Sequence, residues 1–106
     1  MSNFEVILCI VNNGFSDFVM NVAKKYGARG GTVISGRGTA AKDAEKFFNI
    51  TIQPEKEIVL ILVNNKIKDD ILKGLYDAIG METNAQGIAF SLPVDDVVGI
   101  SIKDQK

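Results

Sequence analysis

Two stretches of this chain are apolar at nearly every position: Phe4 to Val11 (Phe-Glu-Val-Ile-Leu-Cys-Ile-Val) and Glu57 to Val63 (Glu-Ile-Val-Leu-Ile-Leu-Val). Both are short and rich in β-branched residues, which predicts two strands buried on both faces in the middle of a sheet. After each of them the apolar period lengthens to that of a helix. Phe18, Val19, Val22, Ala23 and Tyr26 fall on one helix face, with Ser16 placed to cap the N-terminus and Phe15 to staple it. Ile67, Ile71, Leu72, Leu75, Ala78 and Ile79 make the corresponding stripe of a second helix. Gly27 and Gly80 end the two helices, Gly27 in a left-handed conformation, with Lys24 and Lys25 favoured at that end by the helix dipole.

Two more strands complete the pattern. Thr32-Val33-Ile34-Ser35 is framed by glycines, and Ile88-Ala89-Phe90-Ser91-Leu92 opens at Gly87 and stops at Pro93. Ile50-Thr51-Ile52 alternates like a short edge strand, which Pro54 supports. Val94 to Ile102 carries Val97, Val98, Ile100 and Ile102, enough for a last short strand or an extension covering a neighbour. Thr39 to Phe48 is polar and alanine-rich, a long loop with helical tendency that Phe47 and Phe48 return to the core.

An internal echo joins these elements. Val11-Asn12-Asn13 leads from the first strand into a helix, and Val63-Asn64-Asn65 repeats the step. The chain therefore reads as two consecutive strand-helix-strand units. With right-handed crossovers they interleave as a four-stranded antiparallel sheet with both helices on one face, an α+β, ferredoxin-like βαββαβ sandwich. The central strands are apolar on both sides, so the second sheet face calls for a partner subunit.

The composition narrows the function classes. The 106 residues suit one domain, 1–106, and 46% hydrophobic with 24% charged residues is an ordinary globular balance. A net charge of −1 gives no long-range attraction for nucleic acid. No apolar run is long enough to span a membrane and the N-terminus lacks a secretory pattern, so a cytoplasmic location without membrane insertion is expected. There is no histidine, which removes the commonest general base and transition-metal ligand together. Cys9 is the single cysteine and sits in an apolar run, a buried thiol rather than a nucleophile. Neither a metal site nor catalytic residues are expected.

The stretch most suited to a ligand is Gly36-Arg37-Gly38-Thr39, where two glycines allow close approach beside a guanidinium and a hydroxyl. Taken alone it reads either as a strand running into an exposed loop, the commoner case, or as a phosphate-holding segment. Arg29 reads as a surface or intersubunit ion pair rather than an anion ligand, while for Arg37 both readings stay open. Asp95-Asp96 after Pro93-Val94 reads as a solvated turn.

Three motifs in this order resemble the PII family of trimeric signalling proteins. Gly27-Ala28-Arg29-Gly30-Gly31-Thr32-Val33 is similar to the family's Gly-x-x-Gly-x-Thr-Val run into the second strand. Gly36-Arg37-Gly38 resembles its Gly-x-Gly at the base of the T-loop, and Gly87 to Val94 its Gly-x-Ile-Phe strand with the extension beyond. The resemblance covers nearly the whole chain. It implies a homotrimer rather than an enzyme, with an adenine nucleotide in a cleft between subunits and a T-loop, residues 37–53, that regulates a transporter, enzyme or regulator. Nitrogen metabolism is the family default.

Carried onto this chain, the resemblance implies that Gly36, Arg37 and Gly38 hold phosphates, that Thr32 and the Ile34-Ser35 strand end border the base, and that Thr39 belongs to the same ligand site. Thr83, Asn84, Gln86 and Gly87 would form the facing lip, and Lys42, Lys46, Phe47 and Phe48 would belong to the effector loop. No tightly bound cofactor is implied; ATP, ADP and AMP are the regulatory ligands to expect. The chain departs from the family in four places, the first being Thr39, where the family often has an arginine after its Gly-x-Gly. Thr83 to Gly87 has no lysine, Val97 to Ile102 has no arginine, leaving Lys103 as the nearby cation, and no Tyr or Ser lies between Arg37 and Glu57 to accept a modification. It is thus similar to a divergent, PII-like member. A small-metabolite module of the ACT kind shares the topology and is the alternative, though it would not need the long loop.

Overall fold

The computed structural model describes residues 2–39 and 54–100. In chain order the elements are β1 (Phe4–Asn12), α1 (Ser16–Lys25), β2 (Thr32–Arg37), β3 (Glu55–Asn64), α2 (Asn65–Ile79) and β4 (Ile88–Pro93). The four strands form one antiparallel sheet in the order β2-β3-β1-β4, so the two most apolar strands are central, as expected.

Alternation along the strands sorts the side chains into two layers. Ile7, Cys9 and Val11 of β1 and Val59, Ile61 and Val63 of β3 are buried in one cluster with Val19 and Ala23 of α1 and Ile71, Leu75 and Ile79 of α2. Opposite them β4 supplies the small residues Ala89 and Ser91, beside Cys9 and Ile7. The helices meet at Gly74, where a Cβ would lie 2.5 Å from Cε2 of Tyr26. Burial pushes the Cys9 thiol up to about 12, an unreactive core thiol.

The other sheet face carries no helix. Val6, Leu8, Ile10, Ile58, Leu60 and Leu62 are half-buried there, and the edge strands add Ile34, Ile88, Phe90 and Leu92, each 42–49% exposed. Ten apolar side chains therefore share one open surface.

Local features differ from expectation in two places. Ser16 does not cap α1: Phe15 occupies the cap position and no side-chain cap bond is made there. Instead the Glu57 carboxylate of β3 accepts from the Gly14 N–H (2.8 Å) and the Ser16 N–H (3.1 Å). Asn64 does cap α2, its side chain accepting from the Lys66 N–H at 2.9 Å. Gly27 is left-handed, φ +111, and Gly80 ends α2 as expected. Of the two readings for Val94 to Ile102, a last short strand or an extension, the strand is absent from the described part: residues 94–100 form no strand, Gly99 takes a φ of +101, and Val98 is 98% exposed. The Ile50-Thr51-Ile52 strand, the helical tendency of the loop and the return of Phe47 and Phe48 lie outside the described residues.

Candidate functional site at the loop base

One end of the sheet gathers the ends of three strands and the turn before the fourth. β2 and β3 run together to Arg37 opposite Glu55, and the Gly38 N–H donates to the Pro54 carbonyl at 2.7 Å. β1 joins through the Asn13 N–H to the Glu55 carbonyl (3.1 Å) and the Asn12 N–H to the Ala85 carbonyl (2.9 Å). The segment between α2 and β4 is thereby fixed against the ends of the central strands.

Asn12 is the centre of this end. It is 2% exposed, the one buried polar residue among those described, and both its side-chain nitrogen and its oxygen are engaged. Its Oδ1 accepts from the Lys56 ammonium at 2.6 Å, while its Nδ2 donates to the Asn84 carbonyl (3.0 Å) and Gln86 Oε1 (3.4 Å). Gln86 is the only described non-glycine residue with positive φ, +45, which turns its side chain segment toward Asn12 at a cost in backbone energy. Gly87 follows because nothing larger fits: a Cβ there would lie 2.6 Å from the Ile79 carbonyl oxygen and 2.8 Å from Val11 Cγ1.

Lys56 lies on the open face of the sheet, level with Gly36 on one side and Asn12 on the other. Its stem runs beneath Gly38, whose absent Cβ would sit 3.0 Å from Lys56 Cε. Among the described residues no carboxylate lies within salt-bridge distance of Lys56 or Arg37. On the opposite face Glu57 binds the start of α1, and the Gly14 N–H, chiefly, holds its carboxyl below the usual glutamate range.

The expected site residues divide into groups. Gly36, Arg37, Gly38 and Thr39 stand at the loop base, but Gly36 is in the β-ladder and the Gly38 N–H is engaged by Pro54. Ser35 is opposite Glu57 and Ile34 opposite Ile58 on the open face. Thr32 begins β2, about 17 Å along the strand from Arg37. Asn84 and Gln86 face Asn12. Thr83 and Gly87 instead line a cavity of about 680 Å³ between α2 and β4, walled by Leu72, Tyr76, Met81 and Ile88. The Thr83 hydroxyl donates to the Gly80 carbonyl at 2.7 Å. Lys42, Lys46, Phe47 and Phe48 lie outside the described residues.

Sequence reading missed Asn12, Lys56 and Glu57. Asn12 and Lys56 come together only through the β1–β3 register, and neither belongs to a motif. An amide closing an otherwise apolar strand was the available sign, read as a helix boundary. Among the described residues no cluster of three or more metal-ligating side chains occurs, and no helix is long and apolar enough to cross a membrane.

Neither a protein-family model nor a curated protein sequence matches the chain. Solved structures do. PII of Arabidopsis thaliana bound to citrate shares 23% identity over 100% of this chain and 86% of that one, with a TM-score of 0.68. A PII-like signalling protein of Thermus thermophilus shares 15% over 84% and 83%, TM-score 0.64. CPII of Thiomonas intermedia, a nitrogen regulatory PII-like protein bound to ADP, AMP and bicarbonate, shares 14% over 92% and 96%, TM-score 0.64. The expected α+β sandwich is therefore observed, and this chain has the fold of the PII and PII-like signalling proteins.

Proposed function

We propose that the protein is a divergent PII-like regulator, not an enzyme, that assembles as a homotrimer and senses an adenine nucleotide where the loop of residues 37–53 leaves the sheet. The observation that carries this reading is the convergence of β1, β2 and β3 and the Asn84–Gly87 lip on a single cation-bearing end of the sheet. The fold neighbour from Thiomonas intermedia binds ADP and AMP, which supports a nucleotide as the ligand. The open face with its ten apolar residues suits burial between identical subunits.

In this reading the ligand acts by differential affinity: it binds one arrangement of the loop base more tightly, and the shift in population changes how the loop meets a target protein. The protein acts from the cytoplasm on a transporter, enzyme or regulator, in nitrogen metabolism by family default. Titration calorimetry with ATP, ADP and AMP, together with light scattering, tests the proposal. Nucleotide binding by a trimer, weakened in Arg37→Ala, is the expected result. A trimer that binds none of the three defeats the nucleotide assignment, and a dimer that binds an amino acid replaces it with the ACT-like alternative.

A further inference from the structure

The segment between α2 and β4 has two sides. One meets Asn12 at the loop base through Asn84 and Gln86, and the other lines the cavity of about 680 Å³ along the flank of α2. We propose that this cavity is a separate binding site, for a small organic cation: an ammonium group carried on a compact apolar body. The proposal holds whatever the loop base binds.

The size and walls of the cavity follow from the fold. β4 is an edge strand, and on its helix side it presents the small residues Ala89 and Ser91, so the layer between α2 and the sheet is thinly filled there. Leu72, Tyr76, Ile79, Met81, Ile88 and Ala89 supply most of the lining. The volume lies within the roughly 300–1,000 Å³ usual for small-molecule sites. The wall formed by the connecting segment is braced from within: the Gly87 N–H donates to the Ile79 carbonyl at 2.6 Å, the Thr83 N–H to the Gly80 carbonyl at 2.9 Å, and the Gln86 N–H to the Thr83 carbonyl at 3.0 Å. Gly80 and Gly87 pack too closely for a side chain, since a Cβ would lie 2.8 Å from the Tyr76 carbonyl oxygen and 2.6 Å from that of Ile79. A cavity with such a wall exists before its ligand arrives, so binding carries little cost in ordering.

Charge then selects the ligand. Asp77 and Glu82 line the cavity, and no lysine or arginine does. Among the described residues neither carboxylate has a cation within salt-bridge distance. The Thr83 hydroxyl spends its proton on the Gly80 carbonyl, which leaves its oxygen as an acceptor. Asp77, Glu82 and Thr83 can therefore receive hydrogen bonds from a ligand and offer it none. Tyr76 adds an aromatic ring, a surface that attracts cations. An anion entering here would meet two like charges, whereas an ammonium meets three acceptors and buries its apolar body against the aliphatic lining.

The test is an NMR titration of the full chain with phenethylamine, 2-phenylethanol and phenylacetate, which share a benzyl group and carry a positive, no and a negative charge. Saturable binding of phenethylamine is expected, with nuclear Overhauser contacts from its ring to the methyl groups of Leu72 and Ile88. The alcohol should bind about three- to tenfold more weakly, as suits two exposed carboxylates, and phenylacetate more weakly again. Added salt should shrink the preference for the amine. The double variant Asp77→Asn/Glu82→Gln changes two exposed side chains outside the core and should bind amine and alcohol alike. Absence of saturable amine binding, contacts to residues elsewhere, or an amine preference retained in the double variant overturns the proposal. A lysine-rich peptide that moves the Leu72 and Ile88 resonances where phenethylamine does not overturns it in favour of a protein partner.

Discussion

A methyl group at Gly87 would collide with a carbonyl oxygen of α2 at 2.6 Å and with Val11 at 2.8 Å, neither of which is a flexible chain end. Gly87→Ala should therefore destabilise the fold by about 1–3 kcal/mol, read as a lower urea midpoint; an unchanged midpoint would show that the lip yields freely. Its conformation is not the cause, since Gly87 does not have positive φ, so the position is fixed by close approach alone. Asn12 and Asn64 show how far local sequence reaches. Both follow a valine at the end of a buried strand and precede another asparagine. Asn64 caps the helix that follows it, while Asn12 turns into the sheet end and binds Lys56. The echo announced two strand-to-helix junctions correctly and was blind to this difference, because the partner of Asn12 is 44 residues away.

At the level of elements, α1 begins on a carboxylate borrowed from β3 rather than on its own serine. The carboxyl of Glu57 is held below the ordinary value of 4.5, mainly by the Gly14 N–H. A group whose value is depressed on folding contributes stability above its unfolded value and loses it as the pH falls through the folded one. Glu57→Gln should thus lower stability near neutrality, by a margin that shrinks well below pH 4.5. Urea melts across that range give the check, and a margin independent of pH would exclude the charge as its source. Helices and central strands were legible because their apolar periods extend over many residues. The last predicted strand was not: Val97, Val98 and Ile100 supply apolar residues without alternation, and Gly99 turns the chain between them. The cross-element cap and the lysine on the open face were equally hidden, since both depend on which strand lies beside which.

For the whole molecule the unequal sheet faces matter most. One is closed by two helices, and the other leaves Ile34, Ile88, Phe90 and Leu92 close to half exposed on its edge strands. Phe90→Glu should leave the monomer folded, because Phe90 is absent from the helix-covered core, yet disrupt association in light scattering. Burial of a phenylalanine contributes about 1.5–3 kcal/mol relative to exposure, and a symmetric assembly loses that at every copy. An unaltered oligomer would show that the open face is not the interface.

The closure of β2 on β3 has a consequence of another kind. Arg37 pairs with Glu55 and the Gly38 N–H with Pro54, so the two ends of the segment between them are held side by side as one hydrogen-bonded gate. Doubling the length of an enclosed segment costs only about 0.6 kcal/mol in closure entropy. The gate thus fixes two posts for whatever is strung between them: the hydrogen bonds that close it belong to the scaffold, so a segment of another length or sequence placed between Gly38 and Pro54 starts and ends at the same backbone positions.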